Sequence, residues 1–335
     1  MGNIELFRTV VKCGESSDKI CYDTSMMMLG SCFAQNLGER MKQLKFNIII
    51  NPFGVVYHPA PIARNLERII TGIPYTLCNL QKNNELWCSF DHHGRFSHTD
   101  DNVCLNQLNS ELQLAHKQLA QCKWLFVTFG TAWAYRLKTT GIIVANCHKF
   151  PSSDFRRIRF NVDEIYDIWA ETISKLRKFN PDLKIVFTVS PIRHLRDDAH
   201  ENQLSKATLL LAIDRLNSEI KNTVYFPAYE IVIDELRDYR FYDENMTHPN
   251  IVAINYIWQR FCEIFIDNKN LKIMNQVENI VRASAHKQLH RTSESLKFAE
   301  NYLEKIRLLN QQMPFLDFTE EMKRFEKIIF NFSPL

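Results

Sequence analysis

The feature that most constrains this chain is a set of five short apolar runs, at 26–30, 46–50, 124–130, 184–190 and 224–226. Each is of strand length, and most stop at glycine, serine or proline. A strand buried on both faces reads as an unbroken apolar run rather than an alternating one. Between the runs, apolar residues recur at helical spacing, as in Phe33, Leu37 and Met41, or Val162, Ile165, Trp169 and Ile173. The spacing predicts helices at about 33–44, 58–70, 103–121, 162–178, 199–221, 230–238 and 250–266. Strands alternating with helices predict an α/β fold with a parallel, doubly wound sheet. Right-handed crossovers then bring every strand's carboxyl end to one edge. Ser31, Gly54, Gly130 and Ser190 are expected to gather there.

The remaining stretches carry weaker patterns. The first 25 residues read as a lead-in that pairs at a sheet edge. Residues 71–110 break into turn residues, aromatics and histidines, read as an excursion over the sheet edge that would serve as a lid. Residues 136–160 read as loop. After about 268 the chain is charged and helical. This divides it into a main domain over 1–268 and a helical appendage over 269–335, which packs on the domain or serves homo-oligomer formation.

Composition excludes several classes. With 41 Lys and Arg against 38 Asp and Glu, the net charge of +3 gives no electrostatic case for nucleic acid. No run approaches the roughly 20 apolar residues of a membrane span, and the first residues lack the apolar core of a secretory signal. The nine cysteines are scattered with no CxxC pair, which fits free thiols in a reducing, cytoplasmic setting. No cofactor is indicated. His92, His93 and His98 lie near Asp91 and Asp100, but neither an i, i+4 histidine pair nor a Cys partner is present, so no metal site is expected.

The chemistry-bearing stretch is Gly30-Ser31-Cys32-Phe33-Ala34. A serine at a strand-to-helix turn sits beside the unpaired N–H groups of the helix's first turn, where negative charge is stabilised. The bland reading is an ordinary N-cap. Cys32, in that first turn, is expected to be a small buried apolar residue. Arg193 and His194 follow a strand on the same edge and are candidates for lining a pocket. Trp133, Tyr135, Tyr229 and Tyr242 are either core or a stacking platform.

These pieces in order resemble the GSCFA family, whose namesake pentapeptide stands intact at 30–34. The resemblance runs from about 22 to 262 through Asn51-Pro52-Phe53-Gly54, Gly130-Thr131-Ala132-Trp133, Ser190-Pro191-Ile192-Arg193-His194, Lys206, Phe226-Pro227-Ala228-Tyr229-Glu230, Tyr239-Arg240-Phe241-Tyr242 and His248-Pro249. The family in turn looks like a branch of the SGNH (GDSL-type) hydrolases, esterases on a flavodoxin-like three-layer α/β/α sheet. The resemblance implies Ser31 as nucleophile and His248 as general base, since a serine hydroxyl needs a neighbouring imidazole to take its proton. It implies a Gly54 N–H at the oxyanion, with Asn51 in the same block. Thr131 falls in the third block, where related enzymes carry an oxyanion asparagine, and Trp133 follows it. His194 and, from the excursion, His93 are added as substrate contacts. Where related hydrolases place an aspartate three residues before the histidine, this chain has Asn245, with Asp243 and Glu244 as neighbouring carboxylates.

The expected activity is hydrolysis of a small acyl ester, such as an O-acetyl group on a carbohydrate, with no cofactor, nucleic-acid or membrane partner. The alternatives are a non-catalytic binding or scaffold relative and an acyltransferase on the same site.

Overall fold

The computed structural model describes residues 9–14, 18–286 and 292–330. In chain order the elements are β1 (Met26–Gly30), α1 (Cys32–Gln43), β2 (Ile48–Ile50), α2 (Pro59–Thr71), β3 (Gln81–Asn83), β4 (Leu86–Cys88), α3 (Asp101–Gln121) and β5 (Trp124–Phe129). There follow β6 (Trp133–Leu137), β7 (Ile143–Val144), β8 (Phe155–Arg159), α4 (Val162–Phe179), β9 (Lys184–Val189), α5 (Asp198–Glu219) and β10 (Thr223–Tyr225). The short α6 (Ala228–Glu230) runs into a π-helical turn, and α7 (Ile251–Phe265), α8 (Asn268–Ala285), α9 (Ser293–Gln312) and α10 (Thr319–Phe330) complete the chain.

Five strands form one parallel sheet in the order β10-β9-β5-β1-β2. Numbering only these five by sequence, the order from the β2 edge is 2-1-3-4-5, the flavodoxin-like arrangement. The chain first steps from β1 outward to β2 and then reverses. Right-handed crossovers therefore place α1 on one face and α2 to α5 on the other. Side-chain alternation divides the core accordingly. Met27, Leu29, Leu125, Val127, Ile185 and Phe187 face α2 to α5. Met26, Met28, Trp124, Phe126 and Val186 face α1, α7 and the C-terminal helices. Because both faces are covered, the strands had no polar face to display.

The C-terminal helices join that second core through Val277, Ile280, Ile306, Leu309 and Phe325. Ion pairs Arg40–Glu278 and Lys45–Glu321 tie them to α1 and the turn after it. Among the described residues no helix is long and apolar enough to cross a membrane.

Three expectations are corrected. Residues 136–160 are not loop: they build most of a small antiparallel sheet, β7-β6-β8, in which Trp133 pairs with Arg159 and Tyr135 with Arg157. In Phe155-Arg156-Arg157-Ile158-Arg159 the two apolar residues are three apart, so the segment shows neither a buried run nor a period-2 alternation. The predicted helix over 230–238 is only the short α6 and the π-helical turn. The lead-in makes no sheet-edge strand among its described residues, and Ile20 instead bridges Ile266 beyond α7. Residues 1–8 and 15–17 of that lead-in lie outside the described residues.

Candidate active site

In a sheet of this order, the reversal point between β1 and β5 leaves a crevice at the strands' carboxyl ends. β1 delivers Gly30 and Ser31 there, and β5 delivers Gly130 and Thr131. Gly30 cannot carry a side chain: its φ is +132°, and a Cβ would stand 2.2 Å from the Thr128 carbonyl oxygen. The kink ends the strand, and Ser31 becomes the N-cap of α1, its Oγ accepting the Phe33 N–H at 3.2 Å. Among the described residues no acceptor is bonded to the Ser31 or Cys32 N–H. These two groups, at the positive end of α1, are the donors left for an oxyanion.

Ser31 is 0% exposed, so the turn does not present it to solvent as expected. Its neighbour Cys32 reaches the cavity instead, with Sγ 3.3 Å from the Tyr57 hydroxyl. The expectation that Cys32 is a buried apolar residue is therefore corrected to a half-buried cavity residue.

Asn51 and Gly54 serve the turn rather than the cavity. Asn51 Oδ1 accepts the Gly30 N–H at 2.8 Å, and its Nδ2 donates to Gln35 Oε1 at 2.9 Å. The Gly54 N–H donates to the Asn51 carbonyl at 2.7 Å, so it is spent and not available to an oxyanion. Gly54 is glycine for another reason. With φ of +79°, an added Cβ would meet His93 Cβ at 2.2 Å. Thr131 is similarly engaged: its N–H donates to Tyr57 O at 3.3 Å, and its Oγ1 accepts from the Trp133 N–H and lies 3.1 Å from Ser205 Oγ.

A cavity of about 690 Å³ opens over this edge. Thr131, Trp133, His93, His194 and His248 line it together with Cys32, whereas Ser31, Asn51, Gly54, Asn245 and Asp243 do not. Two residues absent from the sequence reading also line it: Tyr57, and His58, the N-cap of α2, whose Nδ1 accepts the Ala60 N–H. A histidine before Pro59 at a helix start is the signal that pointed to it.

Beneath the cavity lies Lys206 of α5, fully buried. Its Nζ donates to the carbonyls of Gly130 and Ser190, each at 2.7 Å, and thereby ties together the ends of β5 and β9. Burial, with Arg193 adding to it, pushes this amine down to about 7. Burial, then Lys206 and His248, push His194 down to about 4; its backbone N–H is held by Asn202 Oδ1 at 2.9 Å. Burial and Arg95 lower His93 as well. His194 is thus a neutral imidazole at pH 7.

His248 is held by the residue three before it. Asn245 Oδ1 accepts from the Thr247 N–H, the Thr247 hydroxyl and the His248 N–H at 2.9 to 3.0 Å. Those donors orient the amide, so its Nδ2 faces His248 Nδ1 at 3.0 Å. Asn245 offers only protons there, which favours the tautomer with the proton on Nε2. Thr247 Oγ1, 3.1 Å from Nδ1, can accept from the opposite tautomer. Asp243 does not orient the ring: it meets His248 through its own backbone N–H, which donates to the His248 carbonyl. Among the described residues no hydrogen bond joins Ser31 to His248, and no group of three His, Cys, Asp or Glu is placed to hold a metal.

The fold and this edge define a doubly wound α/β protein with a serine N-cap and a late histidine at the sheet's reversal point. The chain belongs to the GSCFA family: residues 25–261 match the family model, and residues 277–329 match that of the GSCFA domain protein, C-terminal domain. No curated protein matches. Among solved structures, a carbohydrate esterase family 3 protein from Talaromyces cellulolyticus is 8% identical, covering 76% of this chain and 99% of that one, with a TM-score of 0.35. An acetyl xylan esterase (Est2A) from the rumen bacterium Butyrivibrio proteoclasticus is 12% identical, covering 73% and 63%, with a TM-score of 0.37.

Proposed function

We propose that the chain is a serine ester hydrolase that removes a small acyl group through an acyl-enzyme on Ser31. The observation that carries this reading is the pair of unspent N–H groups at Ser31 and Cys32, beside a serine N-cap at an edge that His248 also lines. Ser31 Oγ attacks the ester carbonyl and its proton passes to His248 Nε2. The oxyanion rests on the two N–H groups. Collapse expels the alcohol, which takes the proton from His248. Water then attacks the acyl carbon and gives a proton to His248, which returns it to Ser31 Oγ as the acid leaves. Since Ser31 has no exposed surface, attack requires the wall above it to move. His248 must also carry its resting proton on Nδ1, toward Thr247.

Those two requirements favour, as a second reading, a binding relative without turnover. Labelling with a fluorophosphonate separates the two, because the probe needs only an activated serine and an oxyanion site. Covalent labelling lost in Ser31→Ala and His248→Ala, but kept in Cys32→Ala, supports the hydrolase. A folded wild type that takes no label rules it out.

A further inference from the structure

The charge of the cavity departs from that of the chain. The protein as a whole is nearly balanced, at +3. The cavity is lined by Arg157, Arg193 and Arg196, and no aspartate or glutamate lines it among the described residues. Several arginines elsewhere are paired with carboxylates: Arg159 with Glu201 at 2.8 Å, Arg215 with Asp163, Arg260 with Glu235. Arg193 forms no ion pair among the described residues, and Arg196 has only the Tyr135 hydroxyl as a hydrogen-bond partner there. A guanidinium half-enclosed beside apolar rings loses part of its hydration, and a carboxylate or phosphate restores it bidentately.

The wall carrying these groups is aromatic. Arg157 lies 4.7 Å from the Trp133 ring centre, and Arg196 lies 5.7 Å from that of Tyr135. Stacking of this kind holds a guanidinium plane in place, here on the face of an aromatic ring. Among the described residues, Trp133 Nε1 and His194 Nε2 of the lining are buried without a hydrogen-bond partner. The indole N–H can only donate, so what completes it must accept.

We propose that the ester taken by this cavity is anionic, with a carboxylate or phosphate on its alcohol portion seated against Arg193 and Arg196 and its ring or chain packed on Trp133 and Tyr135. This rests on the hydrolase reading, but the binding preference can be measured without it.

The test has two arms. In the first, hydrolysis of 4-acetoxybenzoate and 4-acetoxyphenyl phosphate is compared with that of phenyl acetate and 4-acetoxy-N,N,N-trimethylanilinium, each rate divided by the ester's own hydroxide-catalysed rate. The expected order is anionic, neutral, cationic, with about tenfold or more in kcat/KM between the first two. Raised salt should erode the preference, and the double variant Arg193→Gln/Arg196→Gln should abolish it while the neutral ester is still cleaved. In the second arm, calorimetry measures binding of 4-hydroxybenzoate and 4-hydroxyphenyl phosphate against neutral 4-hydroxybenzamide. Tighter anion binding that weakens in the double variant supports the proposal, and the stronger of the two anions identifies the group preferred. Esters cleaved without regard to charge overturn the anion proposal and leave the hydrolase reading standing. Selective anion binding with no ester cleaved overturns the hydrolase reading alone. Equal binding of anion and amide overturns the anionic pocket whatever the kinetics.

Discussion

The cavity has two walls built on different terms. On the side of β1 and β2, nearly every polar group is already spoken for. Asn51 holds the Gly30 N–H, Gly54 donates back to Asn51, and the Val56 N–H caps the Gly30 carbonyl. On the side of β6 and β8, arginines stack on aromatic rings, and the Trp133 indole N–H has no partner among the described residues. The contrast separates two jobs. The first wall has used its hydrogen bonds to hold one serine and two N–H groups in place, as preorganisation requires. The second carries the charged and aromatic groups against which the proposed anion would rest.

The largest expected effect falls on the closed wall. Gly30→Ala puts a Cβ against the Thr128 carbonyl in a backbone region closed to alanine, and should cost about 4 kcal/mol or prevent folding. Denaturant unfolding measures it, and near-native stability would mean that the turn yields. Asn245→Asp comes next. An acceptor at His248 Nδ1 draws the proton there and frees Nε2, so ester turnover should rise by about 10²-fold. Steady-state kinetics reading no gain would show that tautomer choice does not limit the site.

Asn51→Ala should lower stability by about 2 kcal/mol by stranding the Gly30 N–H, without altering preference for substrate charge. A shift in that preference would erase the distinction between the walls. A further effect is confined to acid and is absent at neutral pH. Burial pushes His58 and His92 down to about 3 from an ordinary 6.5. The unfolded chain therefore binds protons first as pH falls below 6.5. Stability is lost from there to about pH 3, by at most about 1.4 kcal/mol per pH unit for each histidine. His92 stacks on Phe53, and His92→Phe should flatten this limb in unfolding followed from neutral to acid pH. An unchanged slope would place the acid sensitivity elsewhere. Smallest is Arg159→Gln: its pair with Glu201 is partly exposed, so the change should stay below about 1 kcal/mol with anion preference intact.

The parallel sheet was legible because its strands are unbroken apolar runs, and the helices because Phe33, Leu37 and Met41 and their counterparts keep one face. The antiparallel sheet was not, because Arg156, Arg157 and Arg159 leave β8 without an apolar period and its cross-strand partners lie about 20 residues away. The edge position of Ser31 and Thr131 followed from strand order, and that of His248 from the family resemblance. The spent state of the Gly54 N–H and the burial of Ser31 did not, since each depends on which donor reaches which acceptor.

By itself, then, the sequence determined the layered α/β architecture and the edge at which the strands end, because local periodicity and crossover handedness suffice for these, and the family through its ordered motifs. Only the tertiary structure decided which N–H groups remain free, that Asn245 rather than Asp243 faces the imidazole, and that arginines of β8 and of the segment after β9 line one cavity. Those outcomes turn on ångström-scale geometry between residues far apart in the chain, and no local pattern encodes it.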